Sequence, residues 1–207
     1  MIFSESRRFV FFAIPKTGTH AVREVLRQHL QAGDWEQQVR YGQQLSPLAD
    51  IAAINHGHVS VQQLSAVVPR EVLAGLFKFA VVRHPFERFV SGCAFLARTD
   101  PSYEQDPTTW MKRALERPRF RQRVLIATQY SLLAHPSGEL GVDFVGRYES
   151  LQASFDSVCD QLSLPRTVLP FKNTSSHRSY EDVLDGPLRA QLEERYAQDF
   201  SVFHYHP

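Results

Sequence analysis

The sequence predicts an α/β fold on a mostly parallel sheet, because one unit recurs three times: a short apolar strand, a tight loop and an amphipathic helix. The three strand candidates, residues 9–14, 78–82 and 142–147, are rich in Phe and Val. The first two lack polar alternation, the pattern of a strand covered on both faces by helices.

Phe9-Val10-Phe11-Phe12-Ala13-Ile14 lies between Arg8 and Pro15 and reads as the first parallel strand. After the turn at residues 15–18, Ala21, Val22, Val25, Leu26 and Leu30 recur at helical spacing, with Thr19 available as the N-terminal cap. Residues 78–82 form the second strand, ending at Arg83-His84-Pro85, and Phe86, Phe89, Val90 and Cys93 carry the helix that follows. The third strand leads into a helix over about 151–162, with Leu151, Phe155, Val158, Cys159 and Leu162 on one face. Residues 106–134 read as one or two helices broken near Pro118, and 163–173 as an extended loop. A helix capped by Ser179 comes next, and Gly186-Pro187 opens a last helix running to Phe200. Nothing in the sequence cuts the chain, so residues 1–207 are expected to form one domain.

Composition narrows the function classes. Hydrophobic residues make up 43 % and charged residues 22 %, ordinary globular usage. Lys and Arg number 23 against 22 Asp and Glu, a net charge of +1, so bulk charge gives no case for nucleic acid or a membrane surface, and any anion must be met by a local site. The apolar run at 9–14 is far too short to span a bilayer, which takes about 20 residues. Cys93 and Cys159 stand in no metal-ligand spacing and read as two buried free thiols, and a cytoplasmic protein is expected.

Pro15-Lys16-Thr17-Gly18-Thr19-His20 sits between a strand and a helix start, where main-chain N–H groups and the helix dipole favour an anion. Gly18 allows a tight turn, Lys16 supplies a mobile charge, and the hydroxyls of Thr17 and Thr19 can donate to anionic oxygens. On these residues alone an ordinary strand-to-helix turn fits equally well. The triphosphate loop G-x-x-x-x-G-K-[ST] is absent, since one glycine occurs and the lysine precedes it.

Residues 14–20 resemble the 5′-phosphosulfate loop of the sulfotransferase superfamily. Ala80-Val81-Val82-Arg83-His84-Pro85-Phe86-Glu87-Arg88-Phe89-Val90-Ser91 resembles its 3′-phosphate segment, with an arginine ending a strand and a serine on the next helix. The two matches occur in the family's order. Asn55-His56-Gly57-His58-Val59-Ser60 is similar to the His-Gly-His-Val segment of the glycan-directed branch, notably heparan and uronyl 2-O-sulfotransferases. Taken alone, those histidines also fit a loop, a core hydrogen-bonding pair or an H-x-H zinc pair lacking a third ligand.

The resemblance implies a P-loop-like three-layer sandwich and transfer of a sulfuryl group from 3′-phosphoadenosine-5′-phosphosulfate to a hydroxyl of a glycan or small glycosylated molecule. It assigns the phosphosulfate to Pro15, Lys16, Thr17, Gly18, Thr19 and His20, and the 3′-phosphate to Arg83 and Ser91. It makes His58 the general base, with His56 as the close second, and Lys16 the stabiliser of the leaving oxygen. Lys172 and Ser175, in the polar loop Phe171-Lys172-Asn173-Thr174-Ser175-Ser176-His177, are further candidate nucleotide contacts. His20 stands where many relatives carry a hydroxyl. The rivals are a kinase-like phosphotransferase, for which Asp143 is the one attractive metal ligand, and a nucleotide-binding module without catalysis. Tyr103, Trp110, Lys112, Arg113, Arg117, Arg119, Arg121, Arg123 and Gln129 are candidates for the acceptor cleft, although a run of basic residues such as this is more often a solvated helix face.

Overall fold

The computed structural model of the chain describes residues 1–38, 46–170 and 178–207. Its sheet has five strands, β1 (Ile2–Ser4), β2 (Phe9–Phe12), β3 (Trp35–Glu36), β4 (Phe77–Val82) and β5 (Phe144–Arg147), in the order β3-β1-β2-β4-β5. β2, β4 and β5 are the three expected strands and pair in parallel, Phe11 opposite Phe79 and Val81 opposite Gly146. β1 joins β2 antiparallel and β3 joins β1 antiparallel, which makes the sheet mixed. The sequence reading missed this edge because β1 and β3 are too short to show a period. Burial holds them instead: Met1, Ile2 and Phe3 are all buried, and Phe3 stacks on Trp35 with ring centroids 5.0 Å apart.

The chain divides into two compact units. Met1–Val82 with Ser131–Lys172 form the first, and Arg83–Tyr130 with Asn173–Pro207 the second. In the first, the Thr19–Arg27 and Leu151–Gln161 helices flank the sheet and share its core: Ala21, Val22, Val25 and Leu26 from one, Phe155, Val158 and Cys159 from the other, with Phe9, Phe11 and Phe79 of the strands. Removing such side chains from water supplies the main driving force of the unit.

The second unit holds the Pro85–Leu96, Pro107–Glu116, Pro118–Arg121, Gly186–Arg195 and Ala197–Val202 helices. Four of the five begin with proline at one of the first two positions, where its missing N–H costs nothing. The break expected near Pro118 is present, at Arg117. The last helix is two, parted at Tyr196, a buried residue whose hydroxyl donates to the Ile126 carbonyl at 3.0 Å. Cys93 and Cys159 are both free and buried.

Candidate active site

At the end of β2 the chain turns sharply into the Thr19–Arg27 helix. Lys16 (φ 68°) and Gly18 (φ 75°) both lie in the left-handed region, strained for the lysine and natural for the glycine. Gly18 has a second reason to lack a side chain: a Cβ there would stand 2.6 Å from Leu151 Cδ2. The helix starts at Thr19, with Gly18 in the cap position, so Thr19 is the first helical residue and not its cap. The first intrahelical bonds run from Ala21 and Val22 to the Gly18 carbonyl, and the preceding N–H groups of Thr19 and His20 point out of the helix end. A helix end of this kind favours negative charge in general.

Thr17 departs from expectation. It is fully buried, and its hydroxyl donates to the Ile14 carbonyl at 2.9 Å. The single hydroxyl proton braces the loop and is not directed at an anion. Pro15 is buried, Lys16 half-buried and His20 exposed. The His20 pKa is lowered, first by desolvation and then by the charges of Arg23, Arg27 and Lys16.

The His56-Gly57-His58 turn lies in the same unit. His58 Nδ1 is 2.6 Å from the Ala13 carbonyl, and since a carbonyl can only accept, Nδ1 carries the proton and Nε2 the lone pair. His56 is in the opposite state, because its Nδ1 accepts from the His58 N–H at 3.3 Å and its Nε2 therefore bears the hydrogen. The two histidines, equivalent in the sequence, are thus distinguished: His58 offers a bare ring nitrogen and His56 a donor. Burial pushes the His58 pKa down to about 3, which keeps the imidazole neutral at physiological pH, with lesser contributions from the Met1 amine, Arg23 and His56. His56 is lowered as well, again chiefly by desolvation. Beyond the turn, Ser60 and Gln63 form a reciprocal capping box that starts the Val61–Ser65 helix and fixes the exit direction of the chain.

The sequence reading overlooked Arg23 and Glu36. Arg23 is 3 % exposed, pairs with Glu36 at 2.8 Å and donates to the Gly57 carbonyl at 2.8 Å. Glu36 also receives both Arg27 Nε (2.7 Å) and Nη2 (2.9 Å). The signal was faint. Arg23 and Arg27 share one helix face at i, i+4, but their acid partner sits on a two-residue strand.

In the second unit, Arg83 directly follows β4 and is 9 % exposed, its guanidinium bonded to Glu87 at 2.8 Å. Gln129 exchanges two hydrogen bonds with the Arg83 main chain, at 2.9 and 2.8 Å, and the Asp199 carboxylate accepts from the Gln129 and Tyr130 N–H groups. Gln129, a candidate for the acceptor cleft, is instead a buried clamp on Arg83. Ser91 is 1 % exposed on the Pro85–Leu96 helix. Arg88 is wholly buried under the ring of Tyr196 and donates to the Leu125 and Ala127 carbonyls, a structural role as its place between Phe86 and Phe89 requires.

Asp143 accepts from the Lys78 N–H at 2.7 Å and pairs with the Lys78 ammonium at 2.8 Å, which commits it to the start of β4. Trp110 packs edge-on against Tyr103 and donates to Asp100 at 2.7 Å, and Lys112 pairs with Asp185. Arg113, Arg117 and Arg119, with Glu116 and Pro118, line an open depression of about 840 Å³, and Arg121 and Arg123 are exposed nearby in sequence. Lys172 and Ser175 lie outside the described residues. Among the described residues no group of three or more His, Cys, Asp or Glu is placed to hold a metal ion, and no helix is long and apolar enough to cross a membrane.

The model of the sulfotransferase family matches residues 1–206, nearly the whole chain. The chain belongs to the sulfotransferase family. No curated protein and no solved structure matches it. Family membership supports sulfuryl transfer, and the loop of this sulfotransferase suits that chemistry: an anion-directed helix start, a lysine and a glycine that leaves room above Leu151 and Tyr148. A neutral imidazole is anchored at the strand end from which that loop departs.

Proposed function

We propose that the chain transfers the sulfuryl group of 3′-phosphoadenosine-5′-phosphosulfate directly to an acceptor hydroxyl, borne by a carbohydrate. The observation that carries this reading is the His58 Nδ1–H bond to Ala13 O, which sets an unprotonated Nε2 beside the strand that opens into the Lys16 loop. The fold that belongs to it is a P-loop-like three-layer sandwich, with residues 1–207 acting as one domain in a cytoplasmic setting. The co-substrate supplies an activated sulfuryl group on a phosphate leaving group.

Residues 15–20 hold the phosphosulfate through the main-chain N–H groups of the loop and helix start and through the Lys16 ammonium. Arg83 and Ser91 take the 3′-phosphate, and Lys172 and Ser175 are further nucleotide contacts. His58 Nε2 accepts the hydroxyl proton as the acceptor oxygen bonds to sulfur. Lys16 stabilises the negative charge growing on the bridging oxygen as its bond to sulfur breaks. His56, with Nδ1 occupied by a main-chain donor, orients the turn or an acceptor oxygen and does not take the proton. Support for a carbohydrate acceptor comes from the His-Gly-His-Val segment. A kinase-like reading loses its metal ligand with Asp143 held by Lys78.

The test is turnover with this donor and simple hydroxyl acceptors. Lys16→Ala and His58→Ala are each expected to lower kcat by about a hundredfold or more while the melting profile survives. Full turnover of a folded His58→Ala chain removes the base, and no turnover by the unaltered chain on any hydroxyl acceptor leaves a nucleotide-binding module.

A further inference from the structure

The Thr19–Arg27 helix turns Ala21, Val22, Val25 and Leu26 into the core, and Arg23 to the side where the His56-Gly57-His58 turn lies. Burying a guanidinium is costly unless it is paired and its donors are used. Here one terminal nitrogen reaches Glu36 (2.8 Å) and Gln38 (2.9 Å), and the other reaches the Gly57 carbonyl (2.8 Å), while the buried Nε has no partner among the described residues. Desolvation lowers the Arg23 pKa to about 10, so it stays charged at neutral pH. Glu36 is itself gripped by Nε and Nη2 of Arg27, which holds in place the carboxylate that aims Arg23. The fit at Gly57 is close: a Cβ there would stand 2.6 Å from the Gln37 carbonyl and 2.9 Å from Arg23 Nη2. The Gly57 carbonyl also accepts from the Met1 amine, but only Arg23 comes from the helix that carries the anion loop.

We propose that Arg23, aimed by Glu36, is a positioning residue: its hydrogen bond to the Gly57 carbonyl locks the histidine turn to the anion-loop helix, so that His58 keeps Nδ1–H on Ala13 and Nε2 toward the acceptor. The proposal rests on the reading of His58 as base. It explains why a charged pair occupies a buried place that an apolar side chain would fill at less cost in stability. A misplacement of about 1 Å in a reacting group can cost about a hundredfold in rate, which gives a remote lock of this kind its leverage.

The experiment combines kinetics with nitrogen-15 spectra of the histidine rings in the full chain. Arg23→Gln is expected to lower kcat by about tenfold or more, with the KM for the donor changed less than about threefold. His58 should lose its single Nδ1–H tautomer pattern. Adding Arg23→Gln to His58→Ala should cost nothing further, because both act through one imidazole. Arg23→Lys keeps the charge beside Glu36 without the planar fork, and should show the same ring change and a smaller loss; it decides the matter if Arg23→Gln does not fold. A folded Arg23 variant with an unchanged His58 ring pattern and kcat within about twofold of normal overturns the proposal. The ring spectra separate the two readings: should His58→Ala remain active, the base assignment fails, while the tautomer pattern still reports whether Arg23 holds the turn.

Discussion

At the scale of single residues, His58 carries the account. Its imidazole is neutral because burial disfavours the charged form, and its tautomer is set by the Ala13 carbonyl. Under the proposed function, a base with a pKa of about 3 is weak, and the negative charge of a donor bound at the Lys16 loop would favour the imidazolium and strengthen it. The same depression is a stability effect. The unfolded chain binds a proton at His58 below about pH 6.5, whereas the folded chain does not until about pH 3, so protons pull toward the unfolded state across that window. Denaturant titrations should therefore show the unaltered chain losing stability relative to His58→Gln as pH falls from about 6.5 to 3, with the difference between the two constant at neutral pH and above. Equal pH dependence of the two would mean that His58 is not desolvated. The histidine pair was legible in the sequence through its motif. The choice between the two was not, because it turns on which ring nitrogen meets a carbonyl and which a main-chain N–H. Arg23 was illegible for a related reason: an arginine among apolar helix residues looks like a solvent-facing position until Glu36 arrives from another element.

At the scale of elements, the three parallel strands were readable as bounded runs rich in Phe and Val, and the helices after them because each is long enough to show its period. β1 and β3 were not. Three residues and two residues carry no period, and their partners are chosen by the burial of Met1, Ile2, Phe3 and Trp35. The loop after β2 was legible as a sharp turn into a helix start, but its internal bracing was not, since nothing in the sequence says that Thr17 turns its hydroxyl back to Ile14. Gly18 joins a left-handed backbone to a close approach by Leu151, so Gly18→Ala meets two penalties at once. Chemical denaturation should show a loss of about 1–3 kcal/mol. A neutral substitution would show that the turn relaxes freely and is no rigid cradle.

At the scale of the whole molecule, the family match and the repeated strand-loop-helix pattern agree on what kind of chain this is. The proposal's central claim assigns the donor's 5′ group to the Lys16 loop and its 3′-phosphate to Arg83. Within its own unit Arg83 is well prepared, with its main chain clamped by Gln129 and that clamp held by Asp199. The most direct test is the ratio of affinities for 3′-phosphoadenosine-5′-phosphate and adenosine 5′-monophosphate, measured by calorimetry. The unaltered chain should prefer the bisphosphate by about tenfold or more, as hydrogen bonds to a charged group are worth about 1.5–3 kcal/mol. Arg83→Ala should bring that ratio close to one, while Lys16→Ala weakens both ligands and leaves the ratio standing. An Arg83→Ala chain that keeps the full preference for the 3′-phosphate contradicts the account.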